Sequence, residues 1–232
     1  MHRLTNPQLY EMFVLQDKLN REVNPDWLTA NYPWMRAVRV ECAELTDHIG
    51  WKWWKKQTPN WAQAHIELVD IWHFMLSATL VSVQGNAHAA VGEMNSSLTF
   101  PHGEVMDLFG KKFTIGGSTL HDQIDLLSAF ASAGYCFGAL FEAVMVGTGL
   151  TWDALRRIYI GKNVLNNFRQ AHGYKEGTYE KTWHGVEDNV HLERLMTTSP
   201  DLGVEDLRAA LWRIYDLVPK AADQQPLPLE AA

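Results

Sequence analysis

The chain has 232 residues, 47% of them hydrophobic and 20% charged, and its formal net charge at pH 7 is −7. This apolar content excludes an intrinsically disordered chain, and two cysteines are too few for a disulfide-stapled mini-protein. The acidic balance argues against a protein that coats nucleic acid, because such binding needs net positive charge. The N-terminal stretch lacks the apolar core of a secretory signal. We therefore expect a cytoplasmic protein that binds neither nucleic acid nor a membrane.

Helical periodicity and capping residues recur along most of the chain. Asn6 followed by Pro7 predicts the start of the first helix. The further helices are predicted at residues 33 to 49, 60 to 83, 119 to 146, 151 to 172 and 204 to 217. No run alternates apolar and polar residues for long enough to predict a sheet. We expect an all-α helical bundle in one domain (1–218), with an insertion of short helices around 85–118 and a flexible tail (219–232).

The stretch 128–150 carries a single charge, that of Glu142, which makes it a candidate membrane span by charge alone. It is rich in Gly, Ala and Ser and has few large aliphatic residues, so hydropathy favours a buried core helix. Gly134 and Gly138 within it would allow another helix to approach closely.

Two pairs of acidic residues have the spacing i, i+3, which places each pair on one face of its helix. Glu41 and Glu44 form the first pair, and Glu67 and Asp70 form the second. Either pair alone is typical of a solvated helix face. The second pair, however, lies in a helix that is apolar nearly all round, where an uncompensated carboxylate is costly. If the two helices pack against each other, four carboxylates converge and a divalent cation would hold them ionised.

Oxygen donors without Cys or His at ligand spacing favour Mg²⁺, with Mn²⁺ as a substitute. A di-iron bundle is the structural alternative, but it requires Glu-x-x-His on two helices. The nearest match is Asp70 with His73, and it occurs once.

A basic, polar segment follows in the fifth predicted helix and beyond it. Lys162, Asn166 and Arg169 lie within about 60° of one helix face. Tyr174, Lys175, Tyr179 and Lys181 come after the helix stop at Gly173. One interpretation is a charged helix end that answers acids elsewhere. The other is a clamp for a polyphosphate, in which cations and hydroxyl groups donate to phosphate oxygens.

Amide and aromatic side chains provide candidates for contact with a nucleobase. Gln16 and Asn20 are one helical turn apart and can read a base edge, although surface amides are common. Trp51, Trp53 and Trp54 lie in a dense aromatic and basic run, GWKWWKK. Such residues are more often core or interface anchors than stacking platforms, and we predict that Trp53 stacks on a base.

Three long segments carry a family resemblance: ECAELTDHIGWKWWKK from 41, ELVDIWHF from 67, and KNVLNNFRQAHGYKEGTY from 162 with its trailing KTWHGVEDN. They resemble the dimeric, all-α dUTPases, which are related to MazG-type and phage dCTP pyrophosphatases. The resemblance implies a homodimer that hydrolyses dUTP to dUMP and pyrophosphate with Mg²⁺, by attack of water on the β-phosphorus.

The resemblance also implies a role for individual residues. Glu41, Glu44, Glu67 and Asp70 would be the metal ligands, and Glu44 would also orient or deprotonate the attacking water. Gln16 and Asn20 would contact uracil. The phosphates and sugar would be held by Lys162, Asn166, Arg169 and Tyr174, with Lys175 and Lys181 in support.

Two alternatives remain open from the sequence. The same chemistry on dCTP, or on both nucleotides, is the nearest, because a side-chain amide can rotate to serve either base. A non-catalytic helical scaffold with a Trp-rich binding surface is the alternative from another class.

Overall fold

The computed structural model describes residues 2–101, 103–108, 110–199 and 202–217, and helices carry most of this part of the chain. The nine α-helices of the described residues are α1 (Asn6–Val23), α2 (Trp34–Ile49), α3 (Trp61–Ser82), α4 (Ala87–Leu98), α5 (Leu120–Ser132), α6 (Gly138–Gly147), α7 (Trp152–Ala171), α8 (Asp188–Thr198) and α9 (Val204–Asp216). Two short antiparallel hairpins pair β1 (Val105–Leu108) with β2 (Lys111–Thr114), and β3 (Thr182–Trp183) with β4 (Val186–Glu187). The predicted all-α class is confirmed, although the sequence did not predict the hairpins.

Helix α3 is the centre of the bundle because it is apolar on nearly every side. It packs most extensively against α2 and also contacts α1, α4 and α7. The backbone amide of Asn60 donates a hydrogen bond to the backbone carbonyl of His48 at 2.8 Å, which closes the loop between α2 and α3. These two helices therefore form a hairpin, and acidic residues on their facing sides become neighbours.

Most predicted helix ends agree with the structure. Thr5 caps α1 through a capping box with Gln8, one residue before the predicted cap. Asn60 caps α3 and Thr151 caps α7, each by accepting a hydrogen bond from a backbone amide in the first turn. The local signals in the sequence are thus sufficient to place α1, α2, α3, α7 and α9.

The single helix predicted over 119–146 is wrong, because the chain breaks between α5 and α6. Gly134 ends α5 in the left-handed region, with φ at +88°. Gly138 then starts α6 against α4, where its amide donates to Ser97 Oγ at 2.6 Å. A Cβ at Gly138 would lie 3.2 Å from the backbone nitrogen of Leu98, so a larger residue would require α4 to shift. The close helix approach predicted at Gly138 therefore occurs between α4 and α6 of the same chain.

The predicted insertion contains a helix that belongs to the core. Helix α4 buries Ala90, Val91, Met94 and Leu98 against α1, α3 and α6. The β1–β2 hairpin follows it. The sequence also did not predict helix α8, whose N-cap residue Glu187 makes no side-chain capping hydrogen bond.

A second, smaller hydrophobic cluster lies between α7, α8 and α9. Trp183 is fully buried in it, together with Phe168, Leu192 and Leu211. This cluster fixes the C-terminal half of α7 relative to the β3–β4 hairpin and α8. The tail predicted at 219–232 lies outside the described residues.

No single helix of the described residues is both long and apolar enough to cross a membrane. The pair α3 and α4 meets that test only jointly, and it is bent by 118°.

Candidate active site

Three of the four predicted metal ligands form a compact carboxylate cluster. Glu41 comes from α2, and Glu67 and Asp70 come from α3. One carboxylate oxygen from each residue lies within 4.8 Å of one from each of the others. The α2–α3 hairpin thus brings together three of the four carboxylates that the sequence predicts to converge.

The fourth predicted ligand, Glu44, lies beside this cluster and is exposed to solvent. Its negative charge raises the pKa of both Glu41 and Glu67, which shows that it is near them. Glu44 therefore stands at the open edge of the carboxylate cluster.

The cluster is electrostatically unfavourable on its own. Burial, followed by the charges of Asp70, Glu44 and Glu67, raises the pKa of Glu41 to about 8. Burial and the charge of Asp70 likewise raise the pKa of Glu67 to about 7, although Lys162 acts against this. His48 Nε2 lies 3.2 Å from a carboxylate oxygen of Glu67. The repulsion between these acids is what a bound cation would relieve.

Lys162 lies behind the carboxylate cluster, with a side chain that is only 1% exposed. Its ammonium group donates to Asp70 Oδ2 at 2.8 Å and to Asn189 Oδ1 at 3.0 Å. The residue that the sequence predicts to hold a phosphate is therefore also an internal partner of a predicted metal ligand.

Arg169 makes a two-pronged ion pair with Asp188, which the sequence analysis did not single out. Its Nε and Nη2 atoms donate to the two carboxylate oxygens of Asp188, each at 2.8 Å. Nη1 donates to Asn166 Oδ1 at 3.1 Å, and Nη2 also donates to Asn189 Oδ1 at 3.2 Å. Burial alone would raise the pKa of Asp188, but the hydrogen bonds and charge of Arg169 lower it below its usual value.

A cavity of about 300 Å³ brings the predicted groups together. Its polar lining includes Asp70 of the carboxylate cluster, the predicted phosphate and sugar residues, and the predicted base residues. The predicted phosphate and sugar residues in the lining are Asn166, Arg169 and Tyr174, and the predicted base residues are Gln16 and Asn20. The aromatic wall of the cavity consists of Trp27, Tyr32, Trp34 and Phe74. One pocket thus adjoins an acidic site, a guanidinium and two amides.

The two amides are held in a chain of buried hydrogen bonds. Gln16 Nε2 donates to Asn20 Oδ1 at 3.0 Å, and Asn20 Nδ2 donates to Ser77 Oγ at 2.9 Å. Ser77 itself donates to the carbonyl of His73, so it can only accept from Asn20. The hydrogen bonds of the fold therefore determine the orientation of both amides, which restricts the rotation that would let them serve either base.

His73 is a pocket residue that the sequence analysis noted only in connection with di-iron sites. Its Nδ1 lies 2.9 Å from the carbonyl of Val69 and must carry the proton, since a carbonyl only accepts. Burial lowers the pKa of His73 to about 4, so the ring is neutral. Its Nε2 is a buried acceptor without a partner among the described residues. Within that same part of the chain, the carboxylate cluster includes no histidine, unlike the di-iron alternative.

Besides Lys162, three residues predicted to bind the phosphates or the base lie outside the lining of this pocket. Trp53 is 87% exposed and contacts Trp54 edge-to-face. Lys181 pairs with Glu187 at 3.3 Å on the surface. Lys175 is nearer, because its ammonium group donates to the carbonyl of Val23, a lining residue, at 3.1 Å.

An all-α bundle that gathers carboxylates beside a pocket lined with cationic and amide groups has the groups that can bind a polar, negatively charged ligand. A scan against protein-family models matches residues 8–174 to a model described as dUTPase. The match covers well over half of the chain, and the chain therefore belongs to the dUTPase family. Membership of this family supports the assignment of the protein as a nucleotide pyrophosphohydrolase. No curated protein matches it in a sequence search.

Proposed function

We propose that this protein hydrolyses dUTP to dUMP and pyrophosphate in a reaction that depends on Mg²⁺. The observation that carries the proposal is the single pocket in which Asp70 and Arg169 share a lining with Gln16 and Asn20. Such a pocket suits a ligand with a polar base at one end and a polyphosphate at the other. Membership of the dUTPase family supports the same chemistry.

The donor chemistry of the carboxylate cluster fits Mg²⁺, with Mn²⁺ as a substitute. All its donors are carboxylate oxygens, and burial together with the charges of neighbouring acids raises the pKa values of Glu41 and Glu67. Glu41, Glu67 and Asp70 would hold the ion, with Glu44 at the open edge. When bound, Mg²⁺ supplies charge neutralisation for the triphosphate and lowers the pKa of a bound water.

We assign the attacking water to Glu44, because this carboxylate is the solvent-exposed member of the group. Glu44 orients the water and accepts its proton. The water oxygen attacks the β-phosphorus, and the bond from that phosphorus to the α–β bridging oxygen breaks. The departing dUMP takes the electron pair of that bond, and pyrophosphate contains the oxygen of water.

The cationic side of the pocket stabilises the charge on the phosphates. Arg169, Asn166 and Tyr174 line the pocket and donate to phosphate and sugar oxygens. Lys162 acts from behind the cluster, through its contact with Asp70. We propose that Lys175 supports the pocket from its rim and that Lys181 does so from the β3–β4 hairpin.

At the other end, Gln16 and Asn20 contact the uracil edge. Their orientation is held by Ser77, whose Oγ accepts from Asn20 Nδ2, and by the hydrogen bond from Gln16 Nε2 to Asn20 Oδ1. A rigid donor and acceptor pattern discriminates between bases better than freely rotating amides do. Stacking by Trp53 stays a prediction, and it requires the 50–60 loop to close over the base.

A panel of deoxynucleoside triphosphates, assayed for pyrophosphate release with Mg²⁺ and with EDTA, tests the proposal. We expect the highest kcat/KM for dUTP and no turnover in EDTA. Hydrolysis in ¹⁸O-water should place the label in pyrophosphate. Strong dCTP hydrolysis with little on dUTP would select the dCTP alternative.

The scaffold alternative makes a different prediction for ligand binding. It expects Mg²⁺ with a non-hydrolysable dUTP analogue to leave the melting temperature unchanged. Our proposal expects stabilisation of about 2.7 kcal/mol at a hundredfold excess of ligand over Kd. Homodimerisation and a cytoplasmic location remain predictions, and sedimentation velocity tests the first.

A further inference from the structure

Asp188 is the most completely buried charged residue at the edge of the site, with 0% exposure. It is the first residue of α8, and its two oxygens accept four hydrogen bonds. The donors are Arg169 Nε and Nη2, the hydroxyl of Tyr179 and the backbone amide of Asn189, each at 2.8 Å. We infer that Asp188 is a positioning residue of the reaction: it acts through Arg169 and sets which edge of the guanidinium faces the ligand. This inference rests on the proposed function.

The hydrogen bonds of Arg169 define that edge. A guanidinium has five N–H donors in a rigid planar arrangement. Asp188 takes one donor from Nε and one from Nη2, Asn189 takes the second from Nη2, and Asn166 takes one from Nη1. One N–H group on Nη1 is left without a partner among the described residues. The guanidinium therefore presents a single donor to a phosphate oxygen, and Asp188 determines its direction.

Asp188 is itself held in place by the C-terminal segment. Tyr179 and the amide of Asn189 each bond one of its oxygens, so the carboxylate cannot rotate without losing both. The next residue, Asn189, offers one oxygen to both Arg169 and Lys162. The start of α8, which follows the family-matched range 8–174, thus orders both buried cations beside the site.

A second ion pair between an arginine and a buried carboxylate serves as a control. Glu142 in α6 pairs with Arg3 and also accepts from Trp152 Nε1 at 2.9 Å. It does not line the 300 Å³ pocket of the described residues. Glu142→Gln and Asp188→Asn both remove one buried charge, and both should lower the melting temperature.

The experiment compares these two variants below their melting temperatures. We expect Asp188→Asn to lower kcat/KM for dUTP about 100-fold, because a misdirected donor loses contact with the phosphate. It should also weaken the binding of inorganic pyrophosphate, measured by calorimetry with Mg²⁺. Glu142→Gln should leave both quantities unchanged. Equal effects of the two variants on kcat/KM would overturn the inference.

A double-mutant cycle separates action through Arg169 from an independent role. Arg169→Gln should lower kcat/KM by a similar factor, and adding Asp188→Asn to it should change kcat/KM by less than about threefold. Factors that multiply would show that Asp188 does not act through Arg169. If Asp188→Asn does not fold, Tyr179→Phe replaces it, with an expected loss of about threefold to tenfold that also disappears beside Arg169→Gln. Wild-type kcat/KM from Tyr179→Phe would then overturn the inference.

The pyrophosphate measurement also keeps the two proposals apart. A wild-type protein that hydrolyses no deoxynucleoside triphosphate would reject the proposed function. The pyrophosphate affinities of Asp188→Asn and Glu142→Gln would still test the positioning role of Asp188. Weaker binding by Asp188→Asn alone would support that role, and equal affinities would reject it.

Discussion

Replacing Glu67 by Gln should stabilise the metal-free protein at alkaline pH, although it removes a predicted metal ligand. Glu67 is 7% exposed, and its pKa is raised from 4.5 to about 7 by burial and by the charge of Asp70. A folded-state pKa above the unfolded value means that the folded protein binds more protons between these two values. The stabilising effect of the protonated form is complete below pH 4.5 and is lost as the pH rises through 7.

The pKa values set the size of the effect. Each unit of difference between the folded and unfolded pKa corresponds to about 1.4 kcal/mol of unfolding free energy. Ionised Glu67, with a pKa of about 7 instead of 4.5, therefore destabilises the metal-free protein by about 3 kcal/mol at pH 8.5. For a chain of this length, that free energy corresponds to about 6 to 12 °C in melting temperature.

Thermal unfolding in EDTA at pH 5 and at pH 8.5 measures this effect. Glu67→Gln should melt higher than wild type at pH 8.5 and close to wild type at pH 5. Added Mg²⁺ should stabilise wild type but stabilise the variant much less. Glu22→Gln, an exposed change of the same kind in α1, is the control and should show no pH-dependent difference. A Glu67→Gln protein that is destabilised equally at both pH values would refute the electrostatic reasoning.

Three further predictions concern the water, the protons and the packing. Glu44→Gln should keep the fold and most of the nucleotide affinity, but its kcat should fall by a factor of about 10² to 10³. Turnover at the wild-type rate would show that Glu44 does not accept the proton of the attacking water. Binding of Mg²⁺ at pH 6.5 should release protons from Glu41 and Glu67, because both have a raised pKa. The heat of binding measured by calorimetry should therefore depend on the ionisation enthalpy of the buffer. Identical heats in phosphate and Tris would contradict this prediction. Gly138→Ala should cost about 1 to 3 kcal/mol of unfolding free energy, because its Cβ would meet Ser97 Oγ at 2.9 Å. Gly92→Ala, in an open helical position, should instead stabilise by about 0.5 to 1 kcal/mol, and the reverse order in urea denaturation would contradict the packing argument.

The environment of Lys162 adds a constraint on any mechanism for this site. Its ammonium group bonds Asp70, a predicted metal ligand, and Asn189 of α8. A substitution at Lys162 would therefore disturb the carboxylate cluster and the start of α8 together. Loss of activity in such a variant would not by itself identify a phosphate contact.

Local sequence signals were sufficient for most helices and for the spacing of the candidate ligands. Caps such as Thr151 and the 3.6-residue period depend on residues a few positions apart, so they can be read from the chain alone. For the same reason, the acidic pairs on α2 and α3 and the cationic face of α7 were predictable. The break at 133–137 was not, because Gly138 is needed by a contact with α4 some 40 residues earlier.

The pairing of charges was decided only by the tertiary structure. Nothing local indicates that Lys162 bonds Asp70, 92 residues away, or that the buried Asp188 pairs with Arg169. The exposure of Trp53 and the orientation of Gln16 and Asn20 likewise depend on what packs around them. Helical period is a property of neighbouring residues, whereas the partner of a buried charge depends on which segments the hydrophobic core brings together.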